Sequence, residues 1–353
     1  MDGTATLERD GRLEPAAINV PLLAGDRLRT REGRLEVIYG DGSVLDLDHH
    51  TTVDLLDDAL VRVLDGAVRL TFVGREAVRF RLDLPAASVR IDTPGEYRVS
   101  LLGGDRDVEL AVLRGEATLV NEFGETVTRA GERALARASF APSPPEPYNS
   151  ARWDAFEAWA AERRAARTGE ISARYLPPDV RTYGGALDRH GSWHHHATYG
   201  FVWYPRVHAG WRPYYYGRWD YAPWWGWTWI SLEPWGWTVF HYGRWGFEAG
   251  RWFWIPGPRW GPAWVYWATA PGFIGWCPLG WDDRPVVNIV VNVFPRRPLV
   301  PWHAWTFVPR HVFVGRVSVA AHVIDPAAVR AVPRGLVLHA SAPVRPVAVP
   351  RAP

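Results

Sequence analysis

The sequence predicts a mainly β protein. An N-terminal β-sandwich or jelly-roll-like domain is followed by one linker helix and a C-terminal tryptophan-rich antiparallel β-meander repeat. Short runs in which apolar and charged residues alternate fill residues 3–138, and this period of two places one face of each strand in a core. Turn dipeptides such as Asp41-Gly42 separate the runs and indicate hairpins. Eighteen of the 22 tryptophans lie between Trp193 and Trp281 and repeat about every 26 residues, which indicates one structural unit copied and stacked.

The composition limits the kinds of function that the protein can have. A length of 353 residues is enough for about two domains. The content of 47% hydrophobic and 22% charged residues indicates a folded chain. The 40 basic and 38 acidic residues give a formal net charge of +2, and this near balance argues against a binder of nucleic acid or another polyanion.

Residues 1–140 form the predicted β domain, and residues 141–182 form a Pro-rich linker with an amphipathic helix. Four prolines between positions 141 and 149 remove backbone donors and favour an extended spacer. The helix is predicted from Ser150, which can cap it, to Arg167. Apolar residues recur there every three or four positions, beginning with Trp153.

Residues 183–285 carry the tryptophan-rich repeat, and residues 286–353 hold a predicted strand, Val286–Phe294, and a Pro/Arg/Val-rich tail. Within the repeat, Tyr216-Gly217-Arg218-Trp219 recurs as Tyr242-Gly243-Arg244-Trp245. In a strand with a period of two, we expect the tryptophan of each copy to face the core, and the tyrosine and arginine to line the outer face. The small glycine leaves room for a neighbouring ring to lie across the backbone.

Eighteen tryptophans are more than a thin meander can hide on one face, so some rings are expected to be exposed and to mark an interaction surface. Flat rings can stack on sugar faces, on a proline-rich peptide or on another protein. The alternative is that the rings form the core and that the arginines stack on them to hold the fold. The candidate ligand-binding side chains are Tyr216, Arg218, Tyr242, Arg244, Trp211, Trp237 and His241.

No catalytic or metal-binding constellation is recognised, so the protein is predicted not to be an enzyme and to use no cofactor and no metal. The histidines from His190 to His196 cluster, but no acid or cysteine is suitably spaced beside them. Glu233 and Glu248 lie near repeat turns, yet no spacing singles out the pair of acids that glycoside hydrolysis needs. Cys277 is the single cysteine and has no recognisable base motif around it.

The N-terminal region carries a series of short motifs in a fixed order. Pro21–Thr30 contains a Gly-Asp-x-Leu-x-Thr stretch, and Asp41–Leu47 supplies an acidic Gly-Ser hairpin. A threonine-proline pair ends Val89–Pro94, and a strand followed by glycine lies in Val112–Ala117. In this order the motifs resemble the landmarks of FecR-like domains. This resemblance implies a non-enzymatic β domain of the periplasm, of the kind that relays a signal from an outer-membrane receptor to a sigma factor.

The second half carries a longer series of motifs, in Asp154–Trp159, Ala173–Leu176, the run from Trp211 to Leu279, and Phe307–Val314. This series is similar to a bacterial family of unknown function that often follows a FecR-like domain. It implies an envelope location and brings no known activity.

Together these features predict a non-catalytic envelope protein that binds or senses, with a FecR-like interaction module and an aromatic β-platform. The expected partner is an envelope protein or a cell-wall glycan, and not nucleic acid. A purely structural or assembly protein without a small ligand is the alternative, and a glycan-active hydrolase is a third. No run of about 18 apolar residues predicts a transmembrane segment. No export signal opens the sequence, so a periplasmic or outer-envelope location predicts an upstream signal peptide, and the cytoplasm is the alternative.

Overall fold

A computed structural model describes residues 2–74, 77–103, 107–149, 154–289, 301–324 and 336–344. The chain divides into two compact units, Met1–Arg164 and Ala165–Pro353. Strands make up 46% of the protein and helices 13%, which confirms the prediction of a mainly β fold.

The N-terminal unit consists almost entirely of short strands joined by tight turns. Its strands are β1 (Ala5–Arg9), β2 (Arg12–Pro15), β3 (Arg27–Thr30), β4 (Leu35–Ile38), β5 (Val44–Leu47), β6 (Thr52–Asp57), β7 (Leu60–Asp65), β8 (Ala67–Thr71), β9 (Phe80–Asp83), β10 (Ser88–Ile91), β11 (Glu96–Leu102), β12 (Asp107–Arg114), β13 (Glu116–Asn121), β14 (Gly124–Arg129), β15 (Glu132–Ala136) and β16 (Glu146–Pro147).

These strands form two sheets, with the orders β14-β13-β10-β9-β7-β6-β3-β1-β2 and β16-β15-β12-β11-β8-β5-β4. Strands β7 and β9 run parallel, whereas the other pairs among the described residues of this unit are antiparallel. One apolar core takes side chains from both sheets. Strand β10 shows how alternating residues contribute to this core, because Val89 and Ile91 are buried whereas Arg90 between them is exposed. The predicted sandwich is therefore confirmed.

The predicted linker helix is present as α1 (Ala155–Thr168). Its cap is Asp154, whose Oδ1 accepts the backbone N–H groups of Phe156 at 3.1 Å and Glu157 at 3.0 Å. The expected cap at Ser150 is wrong because the helix begins at Ala155, and a capping side chain must lie within reach of the first free N–H groups. Ser150 itself and Trp153 lie outside the described residues.

Charged residues join α1 to the seven-stranded sheet. Arg69 of β8 is buried, donates to Oε2 of Glu157 at 3.0 Å and also donates to Glu96 of β11. Arg98 of β11 pairs with Asp154 at 2.6 Å. The helix residues through Arg164 thus belong to the N-terminal unit.

The C-terminal unit combines hairpins with short helical turns. Two 3₁₀ helices, Ser172–Arg174 and Pro178–Tyr183, open it. The other elements are α2 (Gly184–His190), β17 (Gly191–His196), β18 (Gly200–Pro205), β19 (Gly217–Ala222), β20 (Gly226–Ser231), α3 (Gly236–His241), β21 (Tyr242–Glu248), β22 (Arg251–Trp260), β23 (Val265–Ala270), β24 (Phe273–Pro278), β25 (Thr306–Pro309), α4 (Arg310–Val314) and β26 (Val337–His339).

These strands form sheets with the orders β17-β18-β22-β21, β19-β20 and β25-β24-β23-β26. The repeat seen in the sequence is one hairpin that places a tryptophan of each strand directly opposite the other. A hairpin beyond the copies found in the sequence, β23–β24, has the same pairing. The cross-strand pairs are Trp193–Trp203, Trp219–Trp229, Trp245–Trp254 and Trp267–Trp276.

The glycine before each of the first three pairs makes room for the opposite ring, as predicted. A Cβ added at Gly191 would lie 2.3 Å from the Trp203 ring, and a Cβ added at Gly217 would lie 2.6 Å from the Trp229 ring. Gly243 is crowded in the same way. Each of these three hairpins therefore requires glycine at this position, because any side chain would clash with the strand opposite.

Part of the predicted C-terminal tail belongs to the core. Of the predicted strand Val286–Phe294, the described residues 286–289 form no strand, and residues 290–300 lie outside the described part. Trp305, Phe307 and Phe313 are buried in the tryptophan core. The prediction of a tail was wrong for these residues because β25 adds to the edge of β24 and covers apolar surface there.

Candidate functional site

Most tryptophan rings form the core of the C-terminal unit. Of the 16 tryptophans from Trp203 to Trp276, a stretch that is described throughout, 11 are buried. Their rings meet edge to face or tilted, as where the ring centroid of Trp219 lies 5.3 Å from that of Trp229 and 4.7 Å from that of Trp267. A binding surface must therefore be sought among the few exposed rings.

The repeat motif faces inward more completely than its periodicity predicts. Trp219 and Trp245 are buried, as expected. Arg244 was expected on the outer face but is only 8% exposed. Its guanidinium lies 3.6 Å from the centroid of the Trp264 ring, and its Nε and Nη2 donate to Oδ1 of Asp283 at 2.8 and 2.5 Å. The expectation was wrong because segments distant in sequence cover that face of β21.

The expected result of Arg244→Ala is therefore a loss of about 2 kcal/mol in the free energy of unfolding. The loss stays below the 3–5 kcal/mol typical of breaking a fully buried ion pair, because Asp283 is exposed and is not left as a buried charge. The matched control is Arg218→Ala at the same place in the preceding copy, which is half-buried and should lose less than about 1 kcal/mol. Urea denaturation of both variants checks this, and equal losses would contradict it.

His241 and Trp237 pack against each other, with ring centroids 4.5 Å apart. His241 is buried, and its Nδ1 donates to the carbonyl of Gly261 at 2.9 Å. Burial lowers the pKa of His241 to about 4, so the imidazole is neutral at physiological pH. The opposite face of the imidazole stacks on Trp260 at 5.7 Å. These contacts give His241 a packing role.

Trp211 and Tyr216 lie near one half-buried acid. The indole N–H of Trp211, which is buried, donates to Oε1 of Glu233 at 2.7 Å. Burial raises the pKa of Glu233 to about 8, although the hydrogen bonds from Trp211 and Ser231 oppose this shift. Tyr216 is half-buried, and its hydroxyl lies 2.8 Å from Nε2 of His208.

The remaining candidates, Arg218 and Tyr242, are half-buried. Arg218 lies 4.0 Å from Asp220, and burial raises the pKa of the Tyr242 hydroxyl, with a further contribution from the charge of Asp179. Apart from Trp237 and His241, which pack against each other, the predicted side chains thus contact different partners. A ligand-binding role for them stays a prediction.

An open groove of about 570 Å³ lies on the C-terminal unit and is lined largely by aromatic and apolar side chains. We call it the aromatic groove. Its size is that of a small-ligand site. The residues that line it are Tyr175, Leu176, Pro177, Thr198, Tyr199, Phe201, Ile255, Pro256 and Trp281.

The aromatic groove keeps several ring faces open to solvent. Phe201 stacks on Tyr175 with centroids 4.3 Å apart and an angle of 25° between the rings, yet it remains 43% exposed. Trp193 also contacts Tyr175, with ring centroids 5.1 Å apart. Trp281 is 57% exposed. Exposed rings can stack on a flat ligand, and the stacking of Phe201 on Tyr175 is already in place before a ligand binds.

Polar groups fix the turn that carries one wall of the groove. The turn between β17 and β18 presents Thr198 and Tyr199 to the groove. Nδ1 of His196 accepts the backbone N–H of Thr198 at 3.1 Å, and its Nε2 lies 3.0 Å from Glu248. These contacts hold a hydroxyl and a phenol beside the open rings, where they can hydrogen-bond to a ligand.

Sequence reasoning missed the aromatic groove because four separate segments build it. The residues that line it lie outside the Tyr-Gly-Arg-Trp motif, and only folding brings Tyr175 beside Phe201. One signal was present in the sequence: Trp281 stands between Gly280 and Asp282 in a polar turn, and a tryptophan in such a setting is expected to be exposed.

Two other kinds of chemistry can be assessed from the described residues. No group of three His, Cys, Asp or Glu side chains is arranged there to hold a metal ion. Cys277 is buried, and burial raises the pKa of its thiol to about 12, so the thiol stays protonated at physiological pH.

None of the described helices is long and apolar enough to cross a membrane.

Residues 26–118 match the family described as FecR protein, and residues 184–283 match a family of unknown function, DUF6600. Both suspected resemblances are therefore confirmed. An uncharacterized protein of Treponema pallidum (strain Nichols) is 29% identical over 113 residues, which cover 31% of this chain and 16% of that protein. The chain thus matches only a small part of that relative's length.

Two crystal structures of a proposed anti-sigma factor from Parabacteroides distasonis also resemble part of the chain. Each is 14% identical and covers 35% of this chain and 60% of the other, with TM-scores of 0.30 and 0.31.

Proposed function

We propose that this chain, which carries a FecR domain at residues 26–118 and a DUF6600 domain at residues 184–283, is a non-catalytic binding and sensing protein of the bacterial cell envelope. The observation that carries the proposal is the aromatic groove, where Trp281 and Phe201 are exposed and Phe201 stacks on Tyr175. In this proposal the groove binds the ligand, and the FecR domain is the module that contacts a protein partner.

The lining of the groove favours a glycan as the ligand. None of its nine lining side chains is charged, and the polar groups among them are the hydroxyls of Thr198, Tyr175 and Tyr199 and the indole N–H of Trp281. A sugar ring has a flat apolar face that stacks on an aromatic ring, and its edge carries hydroxyl groups that pair with such side chains. A charged peptide would find no opposite charge in this lining. We therefore propose a cell-wall glycan.

Trp281→Ala is expected to weaken glycan binding about tenfold or more, because truncation of an aromatic anchor typically costs over 1 kcal/mol. The measurement is isothermal titration calorimetry with glycan strands released from peptidoglycan. The matched control is Trp224→Ala, which removes another exposed tryptophan that does not line the groove. Its affinity should equal that of the unchanged protein.

The outcomes separate the candidate ligands. Equal affinity of the Trp281→Ala and unchanged proteins would place glycan binding elsewhere and refute the role of the groove. Binding of a proline-rich peptide instead of a glycan, lost in Trp281→Ala, would identify the groove as a protein-binding site and refute the glycan.

A structural or assembly role without a small ligand is the second candidate function. The observation that favours it is the burial of 11 of the 16 tryptophans from Trp203 to Trp276, since such rings serve packing alone. Failure of both ligand classes to bind would favour this role. Cell fractionation tests the proposed envelope location, and recovery of the protein in the cytoplasm would contradict it.

A further inference from the structure

The hairpin of β19 and β20 ends in a turn that presents two tryptophans to solvent. Trp224 is 83% exposed and Trp225 is 38% exposed. The backbone N–H of Trp225 donates to the carbonyl of Ala222 at 3.1 Å, and Gly226 follows with φ of +83°. Pro223 occupies the second position of this turn, where its fixed φ is favoured. The turn geometry is therefore well defined before any partner binds.

A neighbouring strand end supports this turn and adds a positive charge. The rings of Trp225 and Trp260 meet with centroids 4.9 Å apart. Arg259, next to Trp260, is exposed and lies 4.9 Å from the centroid of the Trp264 ring. We call Pro223–Gly226, with Arg259 and Trp260, the aromatic tip.

Arg259 is the one charged side chain in the two segments that form the aromatic tip. Neither residues 221–226 nor residues 258–262 contain an acidic side chain. The nearest acid along the hairpin, Asp220, pairs with Arg316 at 2.9 Å and lies 4.0 Å from Arg218. The charge of Asp220 is thus compensated by arginines, and Arg259 gives the aromatic tip its positive charge.

We propose that the aromatic tip docks this protein on an anionic phospholipid bilayer. The turn is an exposed hairpin end, and an exposed ring such as Trp224 can insert into the headgroup region of a bilayer. Tryptophan prefers the zone between headgroups and acyl chains, because its ring is apolar and its N–H is polar. Arg259 complements lipid phosphates, which draw basic groups to the surface. This docking is separate from the groove and does not depend on the proposed glycan.

Co-sedimentation of the full chain with vesicles tests the docking. The unchanged protein should bind vesicles of phosphatidylcholine mixed with phosphatidylglycerol more strongly than vesicles of phosphatidylcholine alone. Trp224→Ala should lower the partition coefficient about tenfold, because it removes most of the apolar area that can enter the interface. Arg259→Gln should lower it about fivefold on the anionic vesicles only.

The control is Trp281→Ala, which removes an exposed tryptophan of the aromatic groove and should leave vesicle binding unchanged. A loss of glycan affinity without a loss of vesicle binding in this variant keeps the two proposals apart. Equal vesicle binding of the Trp224→Ala and unchanged proteins would overturn the docking. Sedimentation equilibrium that shows a dimer abolished by Trp224→Ala would also overturn it, since the tip would then contact a second copy.

A fluorescent label gives a second measurement at the tip itself. Cys277 is the only cysteine and is buried, so Trp224→Cys provides one accessible thiol for an NBD fluorophore. Its emission should shift to shorter wavelength on addition of the anionic vesicles. The same label at Leu232→Cys should show no shift. This position is exposed and directly follows the end of β20 that is distant from the turn. Equal shifts at both positions, or none at position 224, would refute insertion of the tip.

Discussion

Trp219→Ala is expected to lower the free energy of unfolding of the C-terminal unit by about 3–5 kcal/mol, as large-to-small changes of core aromatics do. Trp219 is buried at the centre of the tryptophan core. Its ring centroid lies 4.7 Å from that of Trp267, 5.3 Å from that of Trp276 and 5.6 Å from that of Phe313. These neighbours come from three elements, so they cannot all move to fill the cavity.

Differential scanning calorimetry of the full chain measures the loss, and hydrogen exchange of peptides from β19 to β24 assigns it to this unit. The matched control on the same hairpin is Trp224→Ala, which should stay within about 0.5 kcal/mol because the ring is exposed. Trp219→Phe should lose less than Trp219→Ala, since a ring remains and the buried indole N–H, which has no hydrogen-bond partner among the described residues, is removed. Equal losses for Trp219→Ala and Trp224→Ala would contradict the assignment of Trp219 to the core.

The sequence was sufficient to identify the tryptophan of each repeat as core and its glycine as a site of close approach. Both follow from local rules, because alternation along a strand decides which side chains share a face. The place of Gly217 beside the Trp229 ring is of this kind. The rule does not say what covers the opposite face. Arg244 is buried because Trp264 and Asp283 lie over it, and those contacts are set by tertiary folding alone.

The aromatic groove likewise depends on tertiary contacts that local sequence rules do not predict. The exposed ring of Trp281 could be expected from its polar turn, whereas the groove needs Phe201 from β18 as well, and Tyr175, which directly follows the 3₁₀ helix Ser172–Arg174. Their juxtaposition depends on how the segment after this helix packs on β18, and no periodicity in the sequence encodes it. Predictions from the repeat therefore identified the core and missed the surface, because the strongest sequence signal belongs to the packing.

Arg69→Ala is expected to lower the free energy of unfolding of the N-terminal unit by about 3–5 kcal/mol. Arg69 is the buried cation between Glu157 of α1 and Glu96 of β11. Among the described residues, its removal leaves the buried carboxylate of Glu157 with Arg98, 3.7 Å away, as the remaining ion-pair partner. The effect should therefore exceed that of a surface pair. The control is Arg90→Ala, whose pair with Glu125 is exposed on both sides and is worth about 0–1 kcal/mol.

A double variant shows whether the destabilisation by Arg69→Ala comes from an uncompensated buried charge or from lost packing. Replacing both partners, as in Arg69→Met with Glu157→Leu, removes the cation together with the carboxylate that would be left buried, and such exchanges are often close to neutral. Glu96 keeps a partner in either case, since Arg164 donates to it at 2.8 Å. We therefore expect the double variant to melt well above Arg69→Ala in calorimetry of the full chain. If it melts as low as Arg69→Ala, the contacts of the Arg69 side chain, and not the uncompensated charge of Glu157, hold α1 on the sheet.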